Sequence, residues 1–286
     1  MRISVVIPVY NEEKCIGRCL KALADGTEKP YEIIVSDGMS TDRTEQNCKK
    51  YGAIVVENEK KTCCRREKCR DKKSERRYYC LIDADCIPDK DWLKEIRKAF
   101  EEDDIDGLST YIRPAKSDNK YEEFWGRLSL QILMSYGDEP YYVQDKTLNT
   151  AFITASCAYR RSLLCRIKGF NNFFANNAED IDICWRALEQ GAKLKYVPSA
   201  KITAHSPRTL KGICKKSFRN GISSSKLQKV YSNNRVSIDK TLYKALVSNI
   251  KGIFKGETYS WLFVVEIICH LAGKYYGSVK CGVINI

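Results

Sequence analysis

Short apolar runs alternate with helix-like segments along the N-terminal part of the chain. The apolar runs predict strands at residues 3–9, 31–35, 53–56 and 78–82. Apolar residues three and four positions apart, or a polar start and a closing glycine, predict helices after three of these strands, at residues 16–23, 40–51 and 91–100. This alternation predicts an α/β fold with a mostly parallel sheet flanked by helices.

Acidic side chains follow three of the predicted strands. Glu12 and Glu13 follow the first strand, Asp37 follows the second, and a later strand is followed by Asp83 and Asp85. Ligands of parallel sheets bind beyond the carboxyl ends of the strands, so these carboxylates are expected at one edge. A solvated turn would explain any one of them, because Asp and Asn favour turns. Three such positions at one edge predict a ligand site.

The expected ligand site lacks a phosphate-binding glycine loop. The chain contains neither G-x-x-x-x-G-K-[ST] nor G-x-G-x-x-G, which excludes a P-loop and a dinucleotide fingerprint. A row of carboxylates would repel a phosphate unless a divalent cation lay between them. Because Mg²⁺ and Mn²⁺ are held by one or two carboxylates together with substrate phosphates, the acidic segment 83–85 predicts one of these ions as cofactor.

Four separated motifs resemble those of family 2 glycosyltransferases, which have the GT-A fold. The motifs are residues 4–13 (SVVIPVYNEE), 36–44 (SDGMSTDRT), 81–85 (LIDAD) and 159–182, which ends in EDID. The resemblance covers residues 3–205 and includes a strand at residues 194–203. It implies a hexosyltransferase that moves a sugar from a nucleotide diphosphate sugar to a hydroxyl acceptor with inversion. Many members of that family use lipid-linked acceptors.

The resemblance implies a nucleotide pocket built from three of these motifs. Pro8, Tyr10 and Glu12 would line it. Asp37 would hydrogen-bond the base, and Asp83 would contact the ribose or the metal. The base of the donor, its sugar and the acceptor are not predicted.

The resemblance also implies a metal site and a catalytic base. Asp85 would bind the metal, and His205 would lie over the metal or the diphosphate. Asp180 would be the general base on the acceptor hydroxyl, with Glu179 and Asp182 supporting it or the acceptor sugar. A structural hydrogen bond would also explain His205, and carboxylates also favour helix N-termini without any catalytic role.

The cysteines do not form a recognisable metal motif. There are 14 in the chain, and no C-x-x-C pair occurs, so neither a zinc ribbon nor an iron–sulfur site is expected. Most of them, Cys165 included, lie singly in apolar or helical segments and are expected to be reduced. Residues 62–70 (TCCRREKCR) lack the Asn and Gly that family members usually have before the fourth strand. In the family these residues help enclose the nucleotide, and Arg65 or Arg66 is a candidate for that role here.

Positive charge is concentrated at the C-terminal end. The chain carries +13, of which residues 206–286 contribute +11, with 14 Lys and Arg against 3 Asp and Glu. This shift predicts a domain boundary between a catalytic domain, residues 1–205, and a basic helical extension, residues 206–286. Such a block favours a polyanion, either an anionic membrane surface or nucleic acid. No nucleic-acid-binding module is recognisable, so nucleic acid is the weaker alternative.

Two amphipathic segments lie within this basic block. At 100° per residue, lysines occupy one side of residues 239–255 and Leu242, Leu246, Ile250, Ile253 and Phe254 the other. Residues 259–276 are apolar around most of the helix, with a polar stripe of Glu266, His270, Lys274 and Ser278. The helices either pack on protein or lie at a bilayer interface. Without a signal-peptide pattern before residue 3, the expected location is cytoplasmic, at the inner face of the cell membrane.

The composition is that of a folded protein. Hydrophobic residues make up 43% of the chain and charged residues 30%, which excludes a disordered chain, a collagen-like fibre and a coiled-coil rod. A sugar-nucleotide nucleotidyltransferase would also use carboxylates and Mg²⁺. It would need a glycine-rich basic loop near the first strand, where this chain has residues 9–13 (VYNEE).

Overall fold

The computed structural model describes residues 1–58, 77–133, 137–146, 152–175, 178–232 and 236–285. Two compact units make up the chain. The sheet unit contains residues 1–115 and 130–205, and the C-terminal unit contains residues 116–129 and 206–286. Segment 116–129, part of the predicted catalytic domain, therefore belongs with the C-terminal residues. The predicted role of residues 62–70 concerns a segment outside the described residues.

The sheet unit is an α/β structure. Its strands are β1 Arg2–Val9, β2 Glu32–Asp37, β3 Ile54–Glu57, β4 Arg77–Ile82, β5 Cys86–Pro88, β6 Gly107–Pro114, β7 Tyr141–Val143, β8 Ser156–Arg160 and β9 Leu194–Ala204. Its helices are α1 Ile16–Asp25, α2 Thr44–Lys50, α3 Trp92–Glu102, α5 Arg161–Arg166 and α6 Glu179–Glu189. Helix α4, Lys120–Leu133, begins in the C-terminal unit. The predicted α/β fold is confirmed.

The strands form one sheet in the order β3-β2-β1-β4-β8-β6-β9-β5, with β7 beside β9. Strands β3, β2, β1 and β4 are parallel, as the alternation of strand and helix predicts. Strand β8 runs antiparallel to both of its neighbours, β4 and β6. The sheet is therefore parallel in its N-terminal half and mixed beyond β4, because β8 enters between two strands that run the other way.

The core of the sheet unit follows the apolar pattern of the sequence. Five consecutive residues of β1 are buried, as expected for a strand covered on both faces. Helix α1 buries Ile16, Cys19, Leu20 and Leu23 at spacings of three and four. The thiols of Cys19 and Cys80 are reduced and buried, as predicted. Cys165 is disulfide-bonded, which corrects the prediction of a reduced thiol there.

The C-terminal unit consists mainly of helices. It contains α7 Leu210–Tyr231, α8 Lys240–Phe254 and α9 Ser260–Cys281, together with the short parallel strands β10 Val236–Ser237 and β11 Ile284–Asn285. Helices α7 and α9 touch at the backbone, because a Cβ on Gly221 would lie 2.1 Å from the carbonyl oxygen of His270. Among the described residues, no helix is long and apolar enough to cross a membrane.

Candidate active site

The loop after β1 is joined to the loop after β2 through Asn11. Asn11 has a left-handed backbone (φ 57°), which Asn tolerates better than most residues. Its N–H donates to Ser40 Oγ (2.9 Å), and its Oδ1 accepts from the Thr41 N–H (2.8 Å). Ser40 Oγ in turn donates to Asp37 Oδ1 (2.6 Å). Asn11 therefore fixes the loop that holds the predicted base-binding carboxylate.

A second set of hydrogen bonds joins the same two loops. The N–H of Glu12 donates to Thr44 Oγ1 (2.8 Å), and that of Glu13 donates to Asp42 Oδ2 (3.2 Å). The side chain of Asn47 donates to the Glu13 carbonyl (3.0 Å). These positioning residues were not predicted. The Asp-x-Thr sequence that opens α2 was a signal for them, since Asp and Thr side chains bind nearby backbone N–H groups.

The predicted nucleotide-binding residues lie along these loops and the ends of the strands. Pro8 and Asp37 belong to the paired strands β1 and β2, in which Pro8 lies opposite Ser36. Tyr10 follows β1 with 49% of its surface exposed. Asp37 is buried and lies opposite Val9, the residue before Tyr10. An exposed aromatic ring is a suitable surface for a planar base.

The two predicted metal ligands flank the same end of the β5–β9 strand pair. Asp85 immediately precedes Cys86, and His205 immediately follows Ala204, the residue opposite Cys86 in this antiparallel pair. Arg18 of α1 also reaches this point, with Nη1 3.3 Å from His205 Nε2. Arg18 was not predicted, and nothing in its sequence surroundings distinguishes it from a solvated helix residue.

Negative charge accumulates around Asp85. Burial, followed by the repulsion of Asp85, raises the pKa of the Glu12 carboxyl above its ordinary value, and Asp42 adds a smaller repulsion. Carboxylates that repel one another in this way form a favourable environment for a cation. Among the described residues, no group of three or more His, Cys, Asp or Glu side chains forms a complete metal site.

The start of β8 connects the Asp83 segment to the start of α6. The Asp83 N–H donates to the Ala155 carbonyl (3.3 Å), which continues the β4–β8 pairing. One residue earlier, Thr154 Oγ1 donates to Glu179 Oε1 (3.4 Å). Asp83 and Glu179, far apart in sequence, are thereby placed at the same edge of the sheet. Thr154 is a further positioning residue that the sequence did not reveal.

Asp180 lies in the first turn of α6. Burial, followed by the repulsion of Glu179, raises the pKa of Asp180 from 3.8 to about 7. The N–H of Ile181 donates to Asp180 Oδ1 (2.8 Å), which lowers the pKa of Asp180. Burial has the larger effect, so the pKa is raised overall. A carboxylate with a pKa near neutral pH can both accept a proton and release it.

Asp182 has a different environment from its two acidic neighbours. Its carboxylate is fully buried and accepts from Arg186 Nε (2.8 Å). Arg186 Nη1 also donates to the carbonyl of Ile167 (2.6 Å). The structure thus places Asp182 in an ion pair that ties α6 to the end of α5.

A cavity of about 640 Å³ occurs elsewhere in the sheet unit. It is lined by residues of α3, β6 and β9, among them Glu95, Tyr111 and Lys201. None of the residues predicted to bind nucleotide, metal or acceptor lines this cavity.

Comparison with known families decides the class of the protein. The family model described as glycosyl transferase family 2 matches residues 4–167, more than half of the chain. The chain belongs to glycosyl transferase family 2. The resemblance based on the four motifs and the prediction of a glycosyltransferase are thereby confirmed.

Relatives of this family 2 glycosyltransferase come from archaea and bacteria. Glycosyltransferase AglE of Haloferax volcanii is 25% identical over 259 residues, which cover 85% of this chain and 79% of AglE. Poly(ribitol-phosphate) beta-N-acetylglucosaminyltransferase TarS of Staphylococcus aureus is 31% identical over 116 residues, which cover 38% of this chain and 20% of TarS. The second match covers only a part of either protein.

Two solved structures share the fold of this glycosyltransferase. Mannosyltransferase PcManGT of Pyrobaculum calidifontis, solved with GDP-Man and Mn²⁺, has a TM-score of 0.55 at 19% identity and covers 98% of this chain and 73% of its own. TarS residues 1–349, solved with UDP-GlcNAc, has a TM-score of 0.51 at 16% identity and covers 99% of this chain and 93% of its own. At these identities the likeness concerns the fold.

Proposed function

We propose that the protein is a metal-dependent, inverting glycosyltransferase that moves a sugar from a nucleotide diphosphate sugar to a hydroxyl acceptor. The observation that carries the proposal is the meeting of two acidic segments at one edge of the sheet. The β4–β8 pairing and the Thr154 hydrogen bond bring Asp83 to the edge at which α6 begins. The segment that contains Asp83 would then hold the donor, and the start of α6 would hold the acceptor.

The donor would bind along the loops after β1 and β2. Pro8, Tyr10 and Glu12 would line the nucleotide pocket, with Asp37 on the base and Asp83 on the ribose. Asp37 suits this role because the network through Asn11 and Ser40 holds its carboxylate in place. A carboxylate that is already positioned loses little conformational entropy when it binds.

Asp85 and His205 would hold a Mg²⁺ or Mn²⁺ ion, together with oxygens of the diphosphate. The donor set fits, since a carboxylate and an imidazole flank the same end of the β5–β9 pair, near carboxylates that repel one another. When bound, the ion supplies positive charge to the departing diphosphate. Mn²⁺ and GDP-Man in the PcManGT complex support this assignment.

Asp180 would remove the proton from the acceptor hydroxyl. The oxygen would then attack the anomeric carbon on the face opposite the diphosphate, so that the configuration inverts as the diphosphate leaves. A pKa of about 7 suits this step, because a base is most effective when its pKa lies near the working pH. Glu179 would support Asp180 through its charge and through its bond to Thr154.

The acceptor would be a hydroxyl of a lipid-linked or cell-surface glycan. The name of TarS, a poly(ribitol-phosphate) glycosyltransferase, supports a hydroxyl acceptor, because ribitol carries hydroxyl groups. The basic C-terminal unit supports a position at the anionic inner face of the membrane, which stays a prediction.

Transfer assays with Asp180→Asn test the proposal. Purified enzyme would receive UDP-, GDP-, CDP- and dTDP-sugars with Mn²⁺, and release of the nucleoside diphosphate would be measured with a panel of glycan acceptors. We expect release from one donor class, dependence on metal, and a product of inverted configuration by NMR. Retention of configuration, or equal turnover by Asp180→Asn, would exclude Asp180 as an inverting base.

A further inference from the structure

Helix α8 presents an apolar stripe to the outside of the protein. Tyr243, Val247, Ile250 and Phe254 are all exposed, and 88% of the Phe254 surface is accessible. At 100° per residue these four positions fall within about 60° of arc. The sequence grouped Ile250 and Phe254 with Leu242 and Leu246, but the two leucines are partly buried and occupy a different side of the helix.

A row of lysines borders this stripe. Lys240, Lys244, Lys251 and Lys255 are all exposed and fall within about 60° of arc beside the apolar positions. Helix α8 contains no acidic residue. One exposed side of the helix therefore combines a continuous apolar stripe with an uninterrupted row of positive charge.

Helix α9 buries part of its polar stripe and exposes several apolar residues. Lys274 is 4% exposed and Ser278 is 6% exposed. The ammonium of Lys274 lies 3.3 Å from Asp239 Oδ2, and its carbonyl accepts from Ser225 Oγ (2.9 Å). Trp261, Ile268, Tyr275 and Val279 form the exposed stripe on the opposite side.

We propose that the exposed apolar stripes of α8 and α9 dock into the interface of an anionic lipid bilayer. Aromatic residues with a polar atom, such as Trp261 and Tyr275, favour the boundary between acyl chains and headgroups. The lysine row of α8 would contact anionic headgroups while the apolar stripe beside it enters the acyl boundary. This inference concerns the C-terminal unit and does not depend on the proposed chemistry of the sheet unit.

The charge pattern favours a bilayer over the other occupants of such a face. A second copy of the chain seated on α8 would bring one lysine row towards another, and like charges would repel. A nucleic acid would neutralise the lysines but would leave the apolar stripe without a partner. An anionic bilayer satisfies both features at once.

Vesicle flotation of the full chain tests the proposal. Vesicles would contain phosphatidylcholine alone or phosphatidylcholine with phosphatidylglycerol. We expect binding to the anionic vesicles, with weaker binding at high salt. The double substitution Lys244→Gln/Lys251→Gln should weaken binding about thirtyfold, whereas Lys90→Gln/Lys94→Gln, an equal change of charge in the sheet unit, should not.

The apolar stripe is tested by Val247→Ser/Phe254→Ser. This variant should weaken vesicle binding at least about tenfold. Val230→Ser, an exposed valine of α7 in the same unit, is the matched control and should bind as wild type does. Thermal unfolding of all variants should be unchanged, because every substituted side chain is exposed.

Four outcomes would overturn the proposal. Wild-type protein could fail to bind anionic vesicles, or Val247→Ser/Phe254→Ser could bind as tightly as wild type. The wild type could also be a dimer by light scattering that Val247→Ser/Phe254→Ser dissociates, in which case a second copy occupies the face. An oligonucleotide that binds in place of vesicles would assign the lysine row to nucleic acid.

Discussion

Helix α1 of the sheet unit and helix α9 of the C-terminal unit differ in which of their residues they bury. In the sheet unit, helix α1 buries Ile16, Cys19 and Leu20 and leaves its charges outside. In the C-terminal unit, α9 buries Lys274 and leaves Val279 71% exposed. The spacing of apolar residues therefore identifies a helix, but the elements packed against the helix decide which of its sides is buried.

The largest expected effect comes from Asp180→Asn in the sheet unit. Loss of the proposed base should lower the transfer rate by about 10²- to 10⁴-fold without unfolding the protein. Glu189→Gln, which removes an exposed carboxylate at the other end of α6, is the matched control. Single-turnover rates and thermal unfolding would be measured together. A control that loses as much activity would mean that the helix, and not the base, had been disturbed.

The next largest effect is on stability, and it comes from replacing a glycine by alanine in a tightly packed helix of the C-terminal unit. Gly221→Ala would place a methyl group 2.1 Å from the His270 carbonyl, so α7 and α9 would have to move apart. We expect a loss of about 2–3 kcal/mol of stability by denaturant unfolding. Gly17→Ala, on α1 with nothing within 4 Å, should gain about 0.5–1 kcal/mol instead. Equal stability of the two variants would contradict the close helix contact.

Asp182→Asn tests whether this carboxylate is structural or catalytic. Its pair with Arg186 is buried, and its loss would leave the guanidinium without a counter-charge. We expect a loss of about 2 kcal/mol of stability, with a smaller fall in rate than Asp180→Asn causes. A fall in rate as large as that of Asp180→Asn, with unchanged stability, would show that Asp182 acts in catalysis and not in holding the helix.

The smallest expected effect is the pH dependence of stability. The pKa of Asp180 is about 7 in the folded chain and 3.8 as an ordinary Asp, so between these values the folded state binds more protons than the unfolded state. Stability therefore falls as pH rises from about 4 to 7. Asp180→Asn lacks this titration, so it should gain about 1 kcal/mol relative to wild type for each pH unit of that window. A constant difference would mean that Asp180 titrates at its ordinary pKa.

Local patterns predicted the elements of the sheet unit well. Strands β1 to β4 and helices α1 to α3 lie within a few residues of their predicted positions. Most of them carry an apolar pattern, and α2 is marked by its polar start and by the glycine that follows it. The three-residue strand β5 gave no such signal, and its pairing with β9 is what brings Asp85 and His205 to the same end of one strand pair. The same motifs predicted a role for Asp37 but none for Asn11, because the role of Asn11 depends on a contact between two loops.

The C-terminal unit was less predictable for a physical reason. Helices α8 and α9 were signalled by their spacing, whereas α7 was not predicted. The stripe of Glu266, His270, Lys274 and Ser278 was compatible with packing on protein or with lying at a bilayer interface. In the structure, Lys274 donates to Asp239 Oδ2 (3.3 Å), and Ser278 Oγ accepts from the N–H of Asn285 (3.0 Å). Such long-range partners do not appear in the periodicity of a single helix.

Calorimetric titration with nucleoside diphosphates tests the central claim most directly. UDP, GDP, CDP and dTDP would be titrated with and without Mn²⁺ into wild type, Asp85→Asn and Asp180→Asn. We predict that one nucleotide binds only with metal, that Asp85→Asn abolishes this binding, and that Asp180→Asn retains it. Binding by Asp85→Asn equal to that of wild type, or no binding of any diphosphate to folded wild type, would contradict the proposed donor site.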